Sequence, residues 1–203
     1  ARVMSTRLAG APDLFRLAWR RDRILVPASV LGLVALSVGS AQATLALYPD
    51  DEAAATGLAG VLTNPSVIAM YGPLASQTAD ALAVFKTVMM GAFLTAVLGF
   101  VVVRRHTRTE EDEGRHELVG SGVVGRWSAL AASVALACLS VIAASALSAV
   151  GLAALGMDGA GSAAFAVAWL SAGLATVGVT AVAVQLASTS RGAAGLGFGF
   201  LAA

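Results

Sequence analysis

The sequence predicts an all-α fold, a polytopic bundle of transmembrane helices that forms a single transmembrane domain over residues 1–203. Two observations lead to this prediction. Hydrophobic residues make up 58% of the chain and charged residues only 12%, about half the charged share of an ordinary soluble domain. The few charges also fall in short stretches that separate long uncharged runs. Because a segment in lipid must hydrogen-bond its own backbone, we expect these runs to be helices.

Four apolar runs, three of them uncharged and one with a single lysine, are long enough to cross a bilayer, which takes roughly 20 helical residues. The predicted spans lie near residues 24–47, 83–103, 127–153 and 163–188. The last two are separated only by a glycine-rich turn at 156–162, which contains Asp158. Apolar residues near the end of the sequence predict a fifth span starting near 194. We therefore expect the chain to be the incomplete first half of a longer protein.

The arginines predict the orientation of the spans. The segment before the first span holds six arginines and the connection 104–126 holds five, whereas the connections 48–82 and 156–162 hold neither lysine nor arginine. Lysine and arginine accumulate in the cytoplasmic loops of membrane proteins. We expect a multi-pass plasma-membrane protein whose N-terminus and 104–126 connection are cytoplasmic.

The chain lacks the residues that several functional classes of protein require. A net charge of +1 offers no basic surface for nucleic acid. The single lysine, Lys86, is not preceded by the glycine-rich loop of a nucleotide-binding site. His106 and His116 lack the spacing of metal ligands, and we expect both to be loop histidines among arginines. We predict no catalytic residue, no metal and no cofactor in this chain.

The predicted spans also lack the residues of an ion-coupled carrier. Such carriers place carboxylates or histidines near the middle of the membrane. Lys86 is the only ionisable residue within a predicted span, and we place it about one turn from the outer end, where its long stem can reach the interface. An ion-coupled carrier would therefore need ionisable residues elsewhere in the protein.

Small residues follow one face of the second span. Gly91, Thr95 and Gly99 recur at every fourth position and would let another helix approach closely. We favour packing within the same bundle over a dimer interface.

An amphipathic helix is predicted over residues 12–23, just before the first span. Pro12 and Asp13 suit the start of a helix. Arginines at i, i+4 and i+7 share one face of it, and Leu14, Leu17 and Ala18 share another. This pattern is typical of a helix lying among the lipid headgroups. A plain positively charged flank that only sets the topology explains the arginines equally well.

The connection 104–126 contains a second short helix, predicted near 110–119. Thr109 and Asp112 fit the start of a capping box, and Glu111 and Arg115 have the i, i+4 spacing of an ion pair. Gly120 then ends the helix. A charged segment between two spans is usually a solvated loop. The alternative is a coupling helix, which would move the spans when a partner pulls on it.

This connection also carries a family resemblance. Its sequence, RHTRTEEDEGRHELVGSGVVGRW, resembles the first cytoplasmic loop of actinobacterial ABC-type exporter permeases, the polyketide-antibiotic and tetronasin-type multidrug exporters. Weaker similarity flanks it in RLAWRRDRILVP and NPSVIAMYGP. The resemblance covers about the first 130 residues, and the last two spans match only in hydropathy.

The resemblance implies a transport subunit without its own ATPase. In such exporters a cytoplasmic ABC ATPase, expected in two copies, binds ATP and Mg and docks on the coupling helix, beside an interfacial N-terminal helix. The resemblance implies that the ATPase docks on the coupling helix through Glu110, Glu111, Glu113, Gly114, Arg115, Glu117 and Leu118. In the N-terminal helix it points to Arg16, Trp19, Arg20, Arg21 and Asp22. Members of the family resemble two fused six-span halves.

The sequence therefore leads to an expected function, ATP-driven export of amphipathic or apolar small molecules. The expected walls of the substrate path are aromatic and uncharged: Phe93, Phe100, Phe165 and Trp169. The alternative is a membrane anchor whose acidic loop recruits a cytoplasmic partner without moving a substrate.

Overall fold

Seven helices make up 86% of the residues that the computed structural model describes, and no strand occurs among those residues. The described residues are 8–58, 64–72, 74, 76, 78–107, 125 and 127–186. In chain order the helices are α1 (Ala11–Arg21), α2 (Leu25–Leu47), α3 (Asp51–Leu58), α4 (Pro65–Tyr71), α5 (Ala79–Arg105), α6 (Ser128–Ala154) and α7 (Gly159–Leu186). The predicted all-α fold is confirmed.

Four of these helices, α2, α5, α6 and α7, are long and apolar enough to cross a membrane. They contain 23, 27, 27 and 28 residues. At about 1.5 Å per residue, each is longer than the roughly 30 Å hydrocarbon core of a bilayer. The prediction of a membrane protein with four such helices is confirmed, while the fifth span expected near 194 lies outside the described residues.

The second span begins four residues earlier than predicted, because polar groups start it. Ala79, rather than a residue near 83, is the first residue of α5. Its backbone N–H donates to Oδ1 of Asp51 at 2.9 Å, and Oγ1 of Thr78 accepts from the N–H of Ala81 at 3.3 Å. Lys86 therefore lies about two turns into the helix, deeper than the one turn predicted.

The fourth span also begins earlier than predicted. The glycine-rich turn expected over 156–162 ends at Asp158, and α7 starts at Gly159. The Asp158 carboxylate accepts a hydrogen bond from the N–H of Gly161 at 2.7 Å, which satisfies a donor in the first turn of the helix. The carboxylate of Asp80, in the first turn of α5, accepts from the N–H of Asp158 at 2.8 Å. Acidic residues thus join the starts of α5 and α7.

The connection between the first two spans contains two short helices that the sequence analysis did not predict. They are α3 and α4, and Asn64 begins α4 by accepting a hydrogen bond from the N–H of Ser66 at 3.0 Å. We call this side of the bundle, where Asp51, Asp80 and Asp158 lie, the acidic end.

The α5 helix lies at the centre of the bundle and packs against α2, α6 and α7. Its small residues face α7. A Cβ on Gly91 would overlap the indole of Trp169, and a Cβ on Gly99 would stand 2.8 Å from Cγ2 of Val177. Between them Thr95 is fully buried, and its hydroxyl donates to the Gly91 carbonyl at 2.7 Å. This packing confirms the prediction that the small residues pack within the bundle.

Trp169 depends on this close approach. Its side chain is fully buried, and its indole N–H donates to the Val88 carbonyl of α5 at 3.2 Å. It also packs against Phe165, with 4.7 Å between the ring centroids. Only glycine at position 91 leaves room for the indole against the α5 backbone.

Gly91→Ala is expected to lower the unfolding temperature of the protein in detergent, and Gly178→Ala is the matched control. Overpacking costs about 1–3 kcal/mol, more than the roughly 1 kcal/mol that alanine gains over glycine in a helix. A Cβ on Gly178 would meet nothing within 4 Å, so the control is expected to keep or raise the unfolding temperature. Tryptophan fluorescence on heating measures both. Equal transitions for the two variants would contradict the packing described here.

Candidate functional site at the arginine-rich end

The end of the bundle opposite the acidic end carries α1, the last turn of α5 and the start of α6, and we call it the arginine-rich end. The α1 helix is preceded by Gly10, whose φ of 81° few other residues adopt. Pro12 and Asp13 lie in its first turn. It ends at Arg21, two residues before the predicted end, and the N–H of Asp22 closes it on the carbonyl of Ala18 at 3.0 Å.

The α1 helix packs against the bundle by one side only. Ala18 is 6% exposed and faces inward, Phe15 packs against the hydrophobic core, and the helix contacts α6. Leu17, which the sequence analysis placed on the same face as Ala18, is instead 57% exposed, and Trp19 is 40% exposed. Exposed apolar side chains beside exposed arginines are typical of a helix at a membrane interface.

The five residues in and just after α1 that the family resemblance pointed to divide into two groups. Arg16, Trp19, Arg20 and Arg21 are exposed. Arg16 also pairs with Asp13 at 3.4 Å, but both side chains are more than three-quarters exposed, so this pair contributes little. Asp22 differs from the other four because it is 1% exposed.

Asp22 forms the most buried polar contact of this end. Its Oδ2 accepts a hydrogen bond of 2.7 Å from Nε2 of His106, which is itself 6% exposed. Its Oδ1 lies 3.2 Å from Nε of Arg105, an ion contact without hydrogen-bond geometry. We call this group of three side chains the Asp22 joint. It connects the end of α1 to the end of α5.

The joint is costly to break from one side. A hydrogen bond to a charged group contributes about 1.5–3 kcal/mol, and the Asp22 side chain, which accepts one from His106, is 0% exposed. The surface pair of Arg16 with Asp13 belongs to a class worth about 0–1 kcal/mol. The Asp22 joint therefore contributes more to holding the end of α1 at α5 than the surface pair of Arg16 with Asp13 contributes to α1.

A second contact holds the other end of α1. The carbonyl of Ala9, two residues before the helix, accepts hydrogen bonds from the N–H of Gly125 at 2.9 Å and from the hydroxyl of Ser128 at 2.7 Å. Ser128 is the first residue of α6. We call this contact the Ala9 tie. Both ends of the connection from α5 to α6 are thus fastened to α1.

The predicted docking residues of that connection lie outside the described residues. They are Glu110, Glu111, Glu113, Gly114, Arg115, Glu117 and Leu118. The structure describes only the two ends of the connection, through Thr107 and from Gly125, with Arg126 not described.

Sequence analysis missed the Asp22 joint. It expected His106 to be a loop histidine among arginines, and His106 does follow the last residue of α5, but its ring is buried against a carboxylate. One signal was present. Asp22 is the single acid in the run Arg20–Arg23, at the edge of a predicted span. An acid at the edge of a predicted span is expected to pair with a buried side chain, but the sequence does not identify that side chain.

Of the four aromatic residues expected to line a substrate path, only Phe93 faces outward, at 52% exposed. Phe100, Phe165 and Trp169 are at most 3% exposed and pack inside the bundle. Phe93 lies on the outward face of α5 with Lys86 and two exposed methionines, Met89 and Met90. Among the described residues, no group of three histidine, cysteine or acidic side chains is placed to hold a metal ion.

Asp22→Ala is expected to destabilise the protein strongly, and Asp13→Ala is the matched control on the same segment. Alanine at 22 removes the buried carboxylate that accepts a hydrogen bond from His106, and a hydrogen bond to a charged group contributes about 1.5–3 kcal/mol. The exposed Asp13 pairs only on the surface, so its loss is expected to change the unfolding temperature little. Thermal unfolding in one detergent measures both variants. If Asp13→Ala lowered the unfolding temperature as much as Asp22→Ala, the buried joint would contribute no more to stability than the exposed pair.

Comparison with known proteins adds one similarity. No protein-family model matches the sequence. The chain is 37% identical over 183 residues to the multidrug efflux system permease protein Rv1217c of Mycobacterium tuberculosis. The match covers 90% of this chain and 33% of that protein, so the chain spans about a third of the length of its relative. A membrane protein with four candidate spans is thus similar, over nearly its whole length, to part of a multidrug efflux permease.

Proposed function

We propose that this chain is part of the membrane permease of an ATP-driven efflux system for amphipathic or apolar small molecules. A separate ABC ATPase, in two copies, binds ATP and Mg and docks on the connection between α5 and α6. The observation that carries the proposal is the 37% identity to a multidrug efflux permease over 90% of this chain. The four apolar helices support it, because they provide the membrane-spanning part of such a system.

The attachment of α1 supports docking on that connection. A partner that pulls on residues 108–124 acts on a segment whose ends continue into α5 and α6. The Asp22 joint and the Ala9 tie fasten the same two ends to α1. A force on the connection would therefore reach two spans and the N-terminal helix together, as a coupling element requires.

The distribution of charge supports the same orientation. Six arginines precede α2 and five lie in residues 104–126, at the end of α5 and in the connection that follows it, whereas the acidic end holds no arginine. By the positive-inside rule, the arginine-rich end faces the cytoplasm, where ATP is available. The N-terminus is then cytoplasmic, and the acidic end lies outside the plasma membrane.

The character of the spans supports an uncharged or amphipathic substrate. The outward face of α5 presents Met89, Met90 and Phe93, each about half exposed. Methionine is adaptable and common on surfaces that accept ligands of many shapes. A substrate that enters from the bilayer would meet apolar side chains with large contact area.

The alternative is a membrane anchor that recruits a cytoplasmic partner without transport. It shares the acidic loop and the arginine-rich end with the proposed permease. The two differ in one observable property: only a permease moves a substrate when the partner hydrolyses ATP.

Reversing Glu110, Glu111 and Glu113 to lysine in the full-length permease is expected to abolish co-purification of the ATPase and ATP-dependent transport. Three acids become three cations, which reverses the charge that this connection offers to a partner and removes the complementarity of the proposed contact. Glu52→Lys, an exposed acid at the opposite end, is the control and is expected to keep both properties. Affinity purification and dye uptake into inverted vesicles measure them.

Unchanged co-purification and transport in the triple variant would contradict docking at this connection. Co-purification of the wild-type protein with its ATPase, without ATP-dependent dye movement for any of a panel of amphipathic dyes, would instead favour the anchor.

Cysteine placed at Glu113 is expected to react with a membrane-impermeant maleimide only after the cells are opened. The expectation follows from the arginines that flank this connection. Glu52→Cys, at the acidic end, is the control and is expected to react in intact cells. Both are made after Cys138→Ser, because Cys138 is a partly exposed free thiol. Labelling of position 113 in intact cells would refute the orientation and the docking together.

A further inference from the structure

One side of α5 is uncovered, although this helix lies at the centre of the bundle. The other three long helices, α2, α6 and α7, pack against it. Four exposed residues nevertheless follow its remaining side at positions i, i+3, i+4 and i+7, which share one face of a helix. They are Lys86, Met89, Met90 and Phe93, and we call them the Lys86 stripe. The described residues leave this face of α5 open.

The stripe begins with a cation that lies inside the apolar length of the helix. Lys86 is two turns into α5, about 11 Å from its first residue. The 27 residues of α5 extend about 40 Å, so centring the helix on a hydrocarbon core of roughly 30 Å places the Lys86 Cα about 5 Å inside that core. Helical side chains lean toward the N-terminus of their helix. The ammonium therefore reaches the boundary between the apolar core and the headgroups at the acidic end.

The chain supplies no anion to this lysine among the described residues, where Lys86 forms no ion pair. Asp51, Asp80 and Asp158 lie at the same end, but each accepts a hydrogen bond from a backbone N–H group at 2.7–2.9 Å. The acids of residues 110–117 belong to the connection at the opposite end. A charged group in a span usually has a partner or a functional ligand, and here that ligand comes from outside the described residues.

The rest of the stripe suits the apolar part of such a ligand. Small-molecule sites are mostly apolar, with a few polar groups that fix the orientation of the ligand. Met89 and Met90 are adaptable, and Phe93 lies about 11 Å further along the helix than Lys86. A molecule whose acidic group binds the ammonium would therefore extend its apolar part along both methionines toward Phe93. The match to the relative covers 33% of that protein, so a permease of that length contains further chain that can form the opposite wall.

We propose that the Lys86 stripe is one wall of the substrate path and that Lys86 binds the acidic group of amphipathic substrates. The inference rests on the proposed function, since it takes the chain to be part of an efflux permease. It deepens that function by naming amphipathic anions as the preferred substrate class and Lys86 as the residue that selects them.

Uptake of two matched fluorescent probes tests this inference. One is a dansyl-labelled alkyl sulfonate and the other is the corresponding neutral sulfonamide, so the two share their apolar part and differ in charge. The full-length permease with its ATPase is reconstituted in vesicles of phosphatidylcholine alone, because an anionic lipid headgroup could also bind the lysine. ATP added outside the vesicles drives only the complexes whose ATPase faces outward. The KM of ATP-dependent uptake is measured for each probe.

Lys86→Gln is expected to raise the KM for the sulfonate about tenfold, the lower end of what a hydrogen bond to a charged group contributes. The KM for the neutral sulfonamide is expected to stay the same. Lys86→Arg keeps a cation and is expected to retain the preference for the sulfonate. Arg23→Gln removes an exposed cation at the opposite end, and this control is expected to change neither KM. Phe93→Ala is expected to raise the KM for both probes, because both lose contact with its ring.

Four results would overturn the inference. A Lys86→Gln protein that keeps the wild-type preference would show that the lysine only anchors α5 at the interface. Equal losses of uptake for the two probes would assign Lys86 to a carboxylate in the rest of the permease. A sulfonate preference that appears only after phosphatidylglycerol is added would assign the lysine to a lipid headgroup. Phe93→Ala without effect on either probe would place the stripe outside the substrate path.

The wild-type complex separates these failures from failure of the proposed function. If it takes up the probes with ATP and the variants give one of the four results, the function stands and only the role of the Lys86 stripe is refuted. If the wild-type complex moves neither probe when ATP is hydrolysed, export of amphipathic molecules is contradicted, and the inference is refuted with it.

Discussion

Close contact between α5 and α7 is the constraint on which the bundle depends. Lipid tails are as apolar as leucine, so helices in a membrane associate through tight packing and hydrogen bonds rather than through the hydrophobic effect. Gly91 and Gly99 remove side chains where Trp169 and Val177 need space, and the indole of Trp169 then reaches a carbonyl of α5. The α5 helix also contacts α2 and α6, and its contact with α7 is the most extensive between any two helices of the described residues.

The carboxylates that make hydrogen bonds between elements lie at the two ends of this packed core. At the acidic end, Asp51, Asp80 and Asp158 accept hydrogen bonds from backbone N–H groups near the starts of α5 and α7. At the arginine-rich end, Asp22 binds side chains of α5 instead. One end therefore uses its acids to begin helices, and the other uses an acid to attach the N-terminal helix to a span.

This attachment connects the N-terminal helix to the ends of α5 and α6. A helix that only lay among lipid headgroups would leave the spans free to move without it. The Asp22 joint and the Ala9 tie instead make α1 a bridge across the two ends of the connection on which an ATPase is proposed to dock. In the proposed permease, such a bridge would transfer movement from the ATPase to the spans.

The sequence by itself determined the fold class, the number of apolar helices and the presence of α1, because each depends on local composition and on the length of uncharged runs. It also identified the face of α5 that packs closely, since small residues at every fourth position lie on one side of a helix. Tertiary structure alone decided the partners: that Trp169 fills the space at Gly91, that Leu17 faces outward, and that His106 meets Asp22. Those two residues are 84 positions apart in the sequence. A local sequence pattern does not specify which distant side chain will pair with a carboxylate that folding removes from water.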